Sequence, residues 1–190
     1  MGLDRYEWYC GVDPGTTSVF GALFIAYDRY SSTPYVLDEL YERRPQDCTV
    51  GRILPKILDK VQEFNPHGPS WHFFCDSAAA WFIQEAIDRY NLGFAPAHKR
   101  AGDKLEGIST IKDILLTRKG FISDRCKSFQ TELMNYRTND RGVPVKEWDH
   151  LIDIFRYFLK FAGYTSQESE YVSPIKQFQP HVRPKRDYTT

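Results

Sequence analysis

Near its amino terminus the chain reads Tyr9-Cys10-Gly11-Val12-Asp13-Pro14-Gly15-Thr16-Thr17-Ser18. A short apolar segment leads to one aspartate, and a Pro-Gly pair turns the chain directly after it. Proline favours extended backbone in the residue before it, and glycine allows a left-handed turn. The pattern therefore predicts that Asp13 ends a β-strand, at a sheet edge where an acid can meet a ligand. Asp-Pro-Gly is also a common turn sequence, so the interpretation depends on the segments that follow.

The length and the charge balance restrict the class of protein. A chain of 190 residues suits one domain with a substantial core. It carries 25 Lys plus Arg and 25 Asp plus Glu. Because the net charge is zero, a polyanion such as DNA would have to bind a local group of cations.

The cysteines and the apolar segments indicate in which cellular compartment the protein is expected. The four cysteines are widely spaced and form no Cys-x-x-Cys pair, which favours buried thiols in a reducing compartment over disulfides or zinc ligands. No apolar run has the length of a membrane span, and the first residues do not resemble a signal peptide. We therefore expect a soluble protein of the cytoplasm with no membrane partner.

Three strands are predicted before the first long helix. Residues 7–13, 18–27 and 34–43 are rich in β-forming residues, and the linkers between them are short. They are therefore expected to form an antiparallel meander. Residues 49–64 carry apolar side chains at helical spacing, and Pro55 is expected to kink this helix or to delay its start.

A second acid also follows a predicted strand. The segment Trp71-His72-Phe73-Phe74-Cys75 leads to Asp76, and the next residues open a helix that extends to Tyr90. A carboxylate at this junction can simply cap the helix. It also stands at a strand end, where it could join Asp13.

The middle of the chain supplies a basic loop and two more helices. A short strand is predicted at residues 94–97. Apolar side chains then follow helical spacing in residues 105–115 and again in residues 126–136. A small strand is predicted between these two helices, at residues 121–122. The loop after residue 97 carries cations that are either solvated or in contact with phosphates. These cations are Lys99, Arg100 and Lys104.

The last predicted helix covers residues 147–159 and carries ionisable side chains among apolar ones. His150 and Asp153 are three residues apart, and Asp149 and Asp153 are four apart, so each pair shares a helix face. Burial of such a pair costs free energy unless something compensates it, and a bound cation is one compensator.

Two polar segments surround this helix. Residues 137–146 are expected to be a surface loop. Residues 164–190 are rich in Ser, Gln, Tyr and Pro with a basic end, and are expected to form a partly disordered tail after a domain of residues 1–163.

The order of these elements is typical of an α/β fold of the ribonuclease H-like type, a mixed sheet with an antiparallel three-strand meander, further parallel strands and flanking helices. In such a sheet the first strand lies beside the strand after the first helix, which would place Asp13 beside Asp76. The late helix would bring Asp153 to the same edge. Three clustered carboxylates repel one another and raise their own pKa values unless divalent cations neutralise them.

The donor atoms favour a particular kind of metal. Oxygen ligands with at most one imidazole select Mg²⁺ or Mn²⁺ over zinc. Two such ions about 4 Å apart can activate a water molecule and stabilise the leaving 3′ oxygen of a phosphodiester.

Several segments together resemble the C-terminal nuclease domain of the large terminase subunit, which belongs to the DNA-packaging motor of tailed bacteriophages. The pattern Asp-His-x-x-Asp-x-x-Arg-Tyr at residues 149–157 is the most specific of them. The resembling segments extend over residues of about 8–160 and are Gly11-Val12-Asp13-Pro14-Gly15, Cys75-Asp76-Ser77-Ala78, Lys104 with Gly107-Ile108, Cys126-Lys127-Ser128-Phe129-Gln130-Thr131-Glu132-Leu133-Met134-Asn135-Tyr136, and Asp149-His150-Leu151-Ile152-Asp153-Ile154-Phe155-Arg156-Tyr157.

The resemblance implies a metal-dependent endonuclease that cuts concatemeric double-stranded viral DNA with little sequence specificity. Carried over residue by residue, Asp13 would bridge two Mg²⁺ or Mn²⁺ ions, Asp76 would bind one and Asp153 the other. His150 would lie beside them, and Asp149 fits the pattern without being a ligand. Ile154 replaces the family's usual small residue, which leaves the metal assignment intact.

The resemblance also implies partners and a location. These are double-stranded DNA, the small terminase subunit and the portal of the procapsid, in the cytoplasm of the host cell, with the isolated domain monomeric. The chain lacks the Gly-x-x-x-x-Gly-Lys-Ser/Thr loop that the motor half needs for ATP. We therefore expect an excised domain, with a separately encoded nuclease as the alternative.

Three other interpretations compete with this one. Asp13-Pro14-Gly15-Thr16-Thr17 also resembles the phosphate-binding turn of the ATP-binding actin and sugar-kinase superfamily, but no second such turn or glycine-rich adenosine site follows. A Holliday-junction resolvase would share the sheet, but it should be dimeric with a glutamate at the second strand end. A non-catalytic capsid-docking module would make the acids incidental.

Overall fold

The computed structural model describes residues 5–15, 19–65, 70–98, 103–137 and 149–164. The strands are β1 (Tyr6–Asp13), β2 (Phe20–Asp28), β3 (Thr33–Glu42), β4 (Trp71–Asp76), β5 (Ala95–Ala97) and β6 (Phe121–Ile122). The helices are α1 (Val50–Phe64), α2 (Ala80–Tyr90), α3 (Asp103–Leu116), α4 (Lys127–Asn135) and α5 (His150–Phe161).

The strands form one mixed sheet in the order β5-β4-β1-β2-β3-β6. β1 pairs with β2 and β2 with β3 in antiparallel directions, as the short linkers predict. β4 lies parallel to β1, β5 parallel to β4, and β6 parallel to β3. The predicted ribonuclease H-like arrangement, a meander with added parallel strands, is confirmed.

Helices cover both faces of this sheet. Successive side chains of a strand point to opposite faces, so Tyr9 joins a core with α3, α4 and α5, whereas Cys10 joins a core with α1 and α2. β2 is buried at every position because it is central and covered on both sides.

The first helix begins before its proline, so the predicted delay of its start is wrong. α1 runs from Val50 through Pro55 to Phe64, so the proline neither ends nor delays it. Proline has no N–H to donate to the carbonyl four residues earlier, which is that of Gly51. The Tyr90 hydroxyl of α2 donates to this carbonyl oxygen at 3.4 Å. A neighbouring helix thus supplies the hydrogen bond that the proline removes.

Two glycines let α5 approach the sheet closely. A Cβ at Gly11 of β1 would lie 2.2 Å from Cζ of Phe74 and 2.6 Å from Cγ2 of Ile154. A Cβ at Gly21 of β2 would lie 3.0 Å from Cδ2 of Leu151. α5 therefore rests directly on the backbone of β1 and β2, near the end of β1 that carries Asp13.

The remaining predictions fall partly outside the described ranges. All four cysteines are free thiols, and Cys10, Cys75 and Cys126 are buried as expected. None of the helices in the described part of the chain has the length and apolar character needed to cross a membrane. The predicted loop at residues 138–146 and the tail at residues 165–190 lie outside the description, so the domain boundary stays a prediction.

Candidate active site

Asp13 and Asp76 lie side by side at the carboxyl ends of two parallel strands. Val12 of β1 is paired with Cys75 of β4, so the two acids that follow are the next residues of neighbouring strands. Neighbouring strands are about 4.8 Å apart. The predicted adjacency of these two acids is therefore a consequence of the register.

Asp13 contacts the turn that follows it and a histidine of α5. Gly15 has a φ of 57°, the left-handed conformation expected there, and its N–H donates to Oδ1 of Asp13 at 3.1 Å. Nδ1 of His150 lies 3.1 Å from Oδ2 of Asp13. This hydrogen bond raises the pKa of His150. Gly21 lies directly opposite Asp13 on β2, beneath the first turn of α5 that carries His150.

Asp76 both caps a helical turn and faces the site. Its Oδ1 accepts a hydrogen bond from the N–H of Ala78 at 3.0 Å, which is the capping role. Its Oδ2 accepts a hydrogen bond from the Tyr157 hydroxyl of α5 at 3.3 Å. The carboxylate is buried, so the two interpretations of Asp76 are compatible.

Asp153 lies on α5 one turn after His150 and pairs with a buried arginine. Nη2 of Arg156 donates to Oδ1 of Asp153 at 3.0 Å. Burial raises the pKa of Asp153, and the positive charges of Arg156 and Lys104 oppose this rise. Arg156 fits between the helices because Gly107 of α3 has no side chain, since a Cβ there would lie 2.1 Å from Cγ of Arg156.

Of the three predicted phosphate-binding cations, the structure describes only Lys104. Nζ of Lys104 lies 2.6 Å from Oδ2 of Asp149, so this cation and the acid before α5 form an ion pair. Lys99 and Arg100 lie outside the described residues. The phosphate contacts of all three stay predictions.

The charges of all three predicted ligands act on one tyrosine. Burial, together with the charges of Asp153, Asp76 and Asp13, raises the pKa of Tyr157. Within the described ranges, no three His, Cys, Asp or Glu side chains lie close enough together to hold one ion. His150, Tyr157 and Arg156 instead each contact one of the acids. The acids thus have the donor type that Mg²⁺ or Mn²⁺ prefers, and their convergence on shared ions stays a prediction.

A buried glutamate that the sequence analysis did not assign to the site holds α5 in place. Oε2 of Glu132 in α4 accepts hydrogen bonds from the N–H groups of Leu151 at 2.8 Å and Ile152 at 3.1 Å. These are first-turn donors that a helix cannot satisfy by itself. Burial raises the pKa of Glu132 to about 7. Its sequence signal is an acid three residues after Phe129 and four before Tyr136, on the apolar side of α4.

The sequence resembles that of a known phage protein. The large terminase subunit of Escherichia phage T5 is 25% identical over 163 residues, which cover 81% of this chain and 35% of that protein. The chain thus spans about a third of the length of this curated relative. No protein-family model matches the sequence.

Solved structures share the fold. The large terminase of a thermophilic bacteriophage superimposes with a TM-score of 0.68 at 18% identity, over 87% of this chain and 44% of that one. The nuclease domain of the P22 large terminase gives 0.64 at 16% identity, over 85% and 84%. The nuclease domain of the bacteriophage SPP1 large terminase, with bound manganese, gives 0.62 at 18% identity, over 84% and 89%. The resemblance to terminase nuclease domains is confirmed at the level of the fold.

Proposed function

We propose that this chain, which has the fold of terminase nuclease domains, is the DNA endonuclease part of a viral DNA-packaging terminase and cuts concatemeric double-stranded DNA. The observation that carries the proposal is the position of Asp13 and Asp76 at the ends of adjacent parallel strands, with His150 of α5 in contact with Asp13. The sequence similarity to a large terminase subunit favours this function over an ATP-binding domain or a junction resolvase.

Asp13, Asp76 and Asp153 would hold two divalent ions, Mg²⁺ or Mn²⁺. Their carboxylate oxygens are the hard ligands that these ions prefer, and the SPP1 relative binds manganese. When bound, such ions neutralise the charge of the phosphodiester and activate the attacking water. Asp13 would serve both ions, Asp76 one and Asp153 the other.

The other side chains of the site would orient these acids. The hydrogen bond between Asp13 and His150 couples the end of β1 to α5. The Tyr157 hydroxyl holds Oδ2 of Asp76, and Arg156 offsets the cost of burying an ionised Asp153. Each of the three carboxylates thus has a partner from the protein in the absence of an ion, and a bound ion would compete with that partner.

Substrate and partners follow from the same proposal. Lys99, Arg100 and Lys104 would contact DNA phosphates, and Lys104 would then exchange Asp149 for a phosphate. Contacts to phosphates carry no base information, which fits cleavage with little sequence specificity. In an intact motor the partners would be the small terminase subunit and the procapsid portal, in the host cytoplasm.

The proposal is tested by removing the negative charge of Asp76. Asparagine can still accept the hydrogen bond from Ala78 as a cap, so Asp76→Asn removes the anionic ligand and keeps the fold. With Mn²⁺ present, plasmid cleavage should fall at least about a hundredfold, beyond the loss typical of residues that only orient metal ligands. Asp88→Asn, at an acid of α2 hydrogen-bonded to Gln84, is the matched control and should cleave normally.

Two results would contradict the proposal. One is an Asp76→Asn variant that cuts plasmid DNA at the wild-type rate in Mn²⁺. The other is wild-type cleavage that continues in excess EDTA, since the acids alone cannot supply the charge that the ions bring.

A further inference from the structure

A cavity of about 710 Å³ opens between the end of β3 and α4. We call it the α4 groove. Its wall includes the buried Glu132 and the rings of Tyr41 and Tyr136. The polar side chains that define the α4 groove are Arg43, Lys127, Ser128, Thr131, Asn135 and Arg137.

The charge of the α4 groove is positive in a chain of zero net charge. Three of its side chains are cations, Arg43, Lys127 and Arg137, and all three are exposed. Its acid is Glu132, whose carboxylate is buried and accepts the amides of α5. Three cations to one acid among the lining side chains give the α4 groove a local excess of positive charge, which attracts an anion.

Side chains, rather than the start of α4, must recognise this anion. The N–H groups of Ser128 and Phe129 at the beginning of α4 donate to Glu39 at 2.7 and 2.8 Å. The helix terminus is therefore already capped by an acid of β3. The guanidinium of Arg43 lies over the ring of Tyr41, 5.3 Å from the ring centroid.

The α4 groove is joined to the acids through the first turn of α5. Glu132 binds the N–H groups of Leu151 and Ile152 from the groove side, and the adjacent His150 contacts Asp13. A duplex that places one phosphate at the acids carries further phosphates on both sides, about one per 3.4 Å of each strand. Tyr41 of the groove is paired with Gly21 and Gly21 with Asp13, so the groove lies two strands from the acid at which the scissile phosphate would bind.

We propose that the α4 groove binds the sugar-phosphate backbone of the substrate duplex next to the scissile phosphate. The inference rests on the proposed nuclease function and deepens it, because it assigns the duplex a path across α4. Arg43, Lys127 and Arg137 are its phosphate contacts. The groove binds the backbone without reading bases, so its contribution to affinity is independent of sequence and strongly dependent on salt.

The experiment measures duplex binding by fluorescence anisotropy in EDTA, so that no cleavage occurs, over a series of salt concentrations. The test variant combines Arg43→Ala, Lys127→Ala and Arg137→Ala. Each lost phosphate contact should reduce the slope of log K against log salt by about 0.9, so the triple variant should lose between about 2 and 3 units of slope. Its affinity at low salt should fall at least about tenfold.

The control variant removes the same charge from the opposite face of the sheet. It combines Arg52→Ala, Lys56→Ala and Arg89→Ala, which lie on α1 and α2 and are 60%, 49% and 61% exposed. Its slope should stay close to that of the wild type. If the groove variant folds poorly, Lys127→Ala alone carries the test, because this side chain is exposed at the start of α4, and its slope should fall by about 0.9.

The outcomes separate the two proposals. If both triple variants change binding equally, or neither does, the groove assignment is wrong, while a nuclease that depends on Asp76 still stands. If the wild type neither binds duplex nor cleaves it with Mn²⁺, the nuclease function fails and the groove assignment fails with it.

Discussion

Glu132 links two helices through one buried carboxylate. Its Oε2 accepts two amides from the first turn of α5, and its Oε1 accepts no hydrogen bond of normal geometry from the described residues. The Tyr41 hydroxyl lies near this acid without forming such a bond. The helix dipole favours the anion at this position, but burial opposes it and raises the pKa to about 7.

The raised pKa predicts how stability depends on pH. The folded protein binds the Glu132 proton more tightly than the unfolded chain does, because the pKa of this carboxyl is near 4.5 in the unfolded chain. This group therefore stabilises the fold fully below pH 4.5 and loses that contribution as the pH rises through about 7. Glu132→Gln removes the ionisation and keeps an oxygen for Leu151. The free energy of unfolding of the wild type should fall relative to that of the variant across this range, by about 3 kcal/mol.

Urea unfolding at a series of pH values measures this difference. Glu85→Gln, at a partly exposed acid paired with Arg89 on α2, is the control and should follow the wild type. Parallel curves for the wild type and Glu132→Gln would show that the buried carboxyl does not titrate in this range.

At the scale of elements, α5 depends on close contact with the sheet. It brings His150 and Tyr157 to the strand-end acids, and it can do so because Gly11 and Gly21 have no side chains beneath it. The register of β1 and β4 is set by their own hydrogen bonds, whereas the height of α5 above them is set by packing.

Gly11→Ala should therefore lift α5 and destabilise the fold. The new Cβ would meet Phe74 and Ile154 at 2.2 and 2.6 Å, and overpacking of this kind costs about 1–3 kcal/mol. Gly93→Ala is the matched control, because a Cβ there would meet nothing within 4 Å. It should change the free energy of unfolding by less than about 0.5 kcal/mol. Equal unfolding midpoints for the two variants would mean that α5 does not rest on Gly11.

At the scale of the whole molecule, each of the three predicted metal ligands is held by a partner from the protein itself. Like charges disfavour one another in a partly buried site, and Asp13, Asp76 and Asp153 are each held by a different donor. A divalent ion would have to compete with these contacts. Its binding should therefore be linked to the stability of the entire fold.

Mn²⁺ should raise the unfolding temperature of the wild type. A ligand that binds the folded state stabilises it by about 2.7 kcal/mol at a concentration of 100 times its dissociation constant. Asp76→Asn should lose most of this increase, and Asp88→Asn should keep it. Calorimetric scans with and without Mn²⁺ measure the effect without reference to cleavage. An equal increase in both variants would place the ion elsewhere.

Local patterns in the sequence were sufficient for the elements and for part of the site. The alternation of apolar residues, the Pro-Gly turn and the short linkers depend on neighbours a few residues away, so they predicted the meander and the strand-end positions of Asp13 and Asp76. The motif around His150 and Asp153 likewise lies within one helix. The roles proposed for these residues at the metal site came from the resemblance to terminase nuclease domains.

Contacts between distant residues were decided only by the tertiary structure. Glu132 beneath α5, Arg156 against Gly107, Lys104 on Asp149 and Tyr90 on Gly51 each join segments that periodicity treats separately. What packs beside a residue decides its role. It decides whether a buried acid holds a helix, whether a proline is tolerated, and whether a lysine already has a counter-ion. The sequence by itself thus determined which residues reach the edge of the sheet, and packing determined which partner each one meets there.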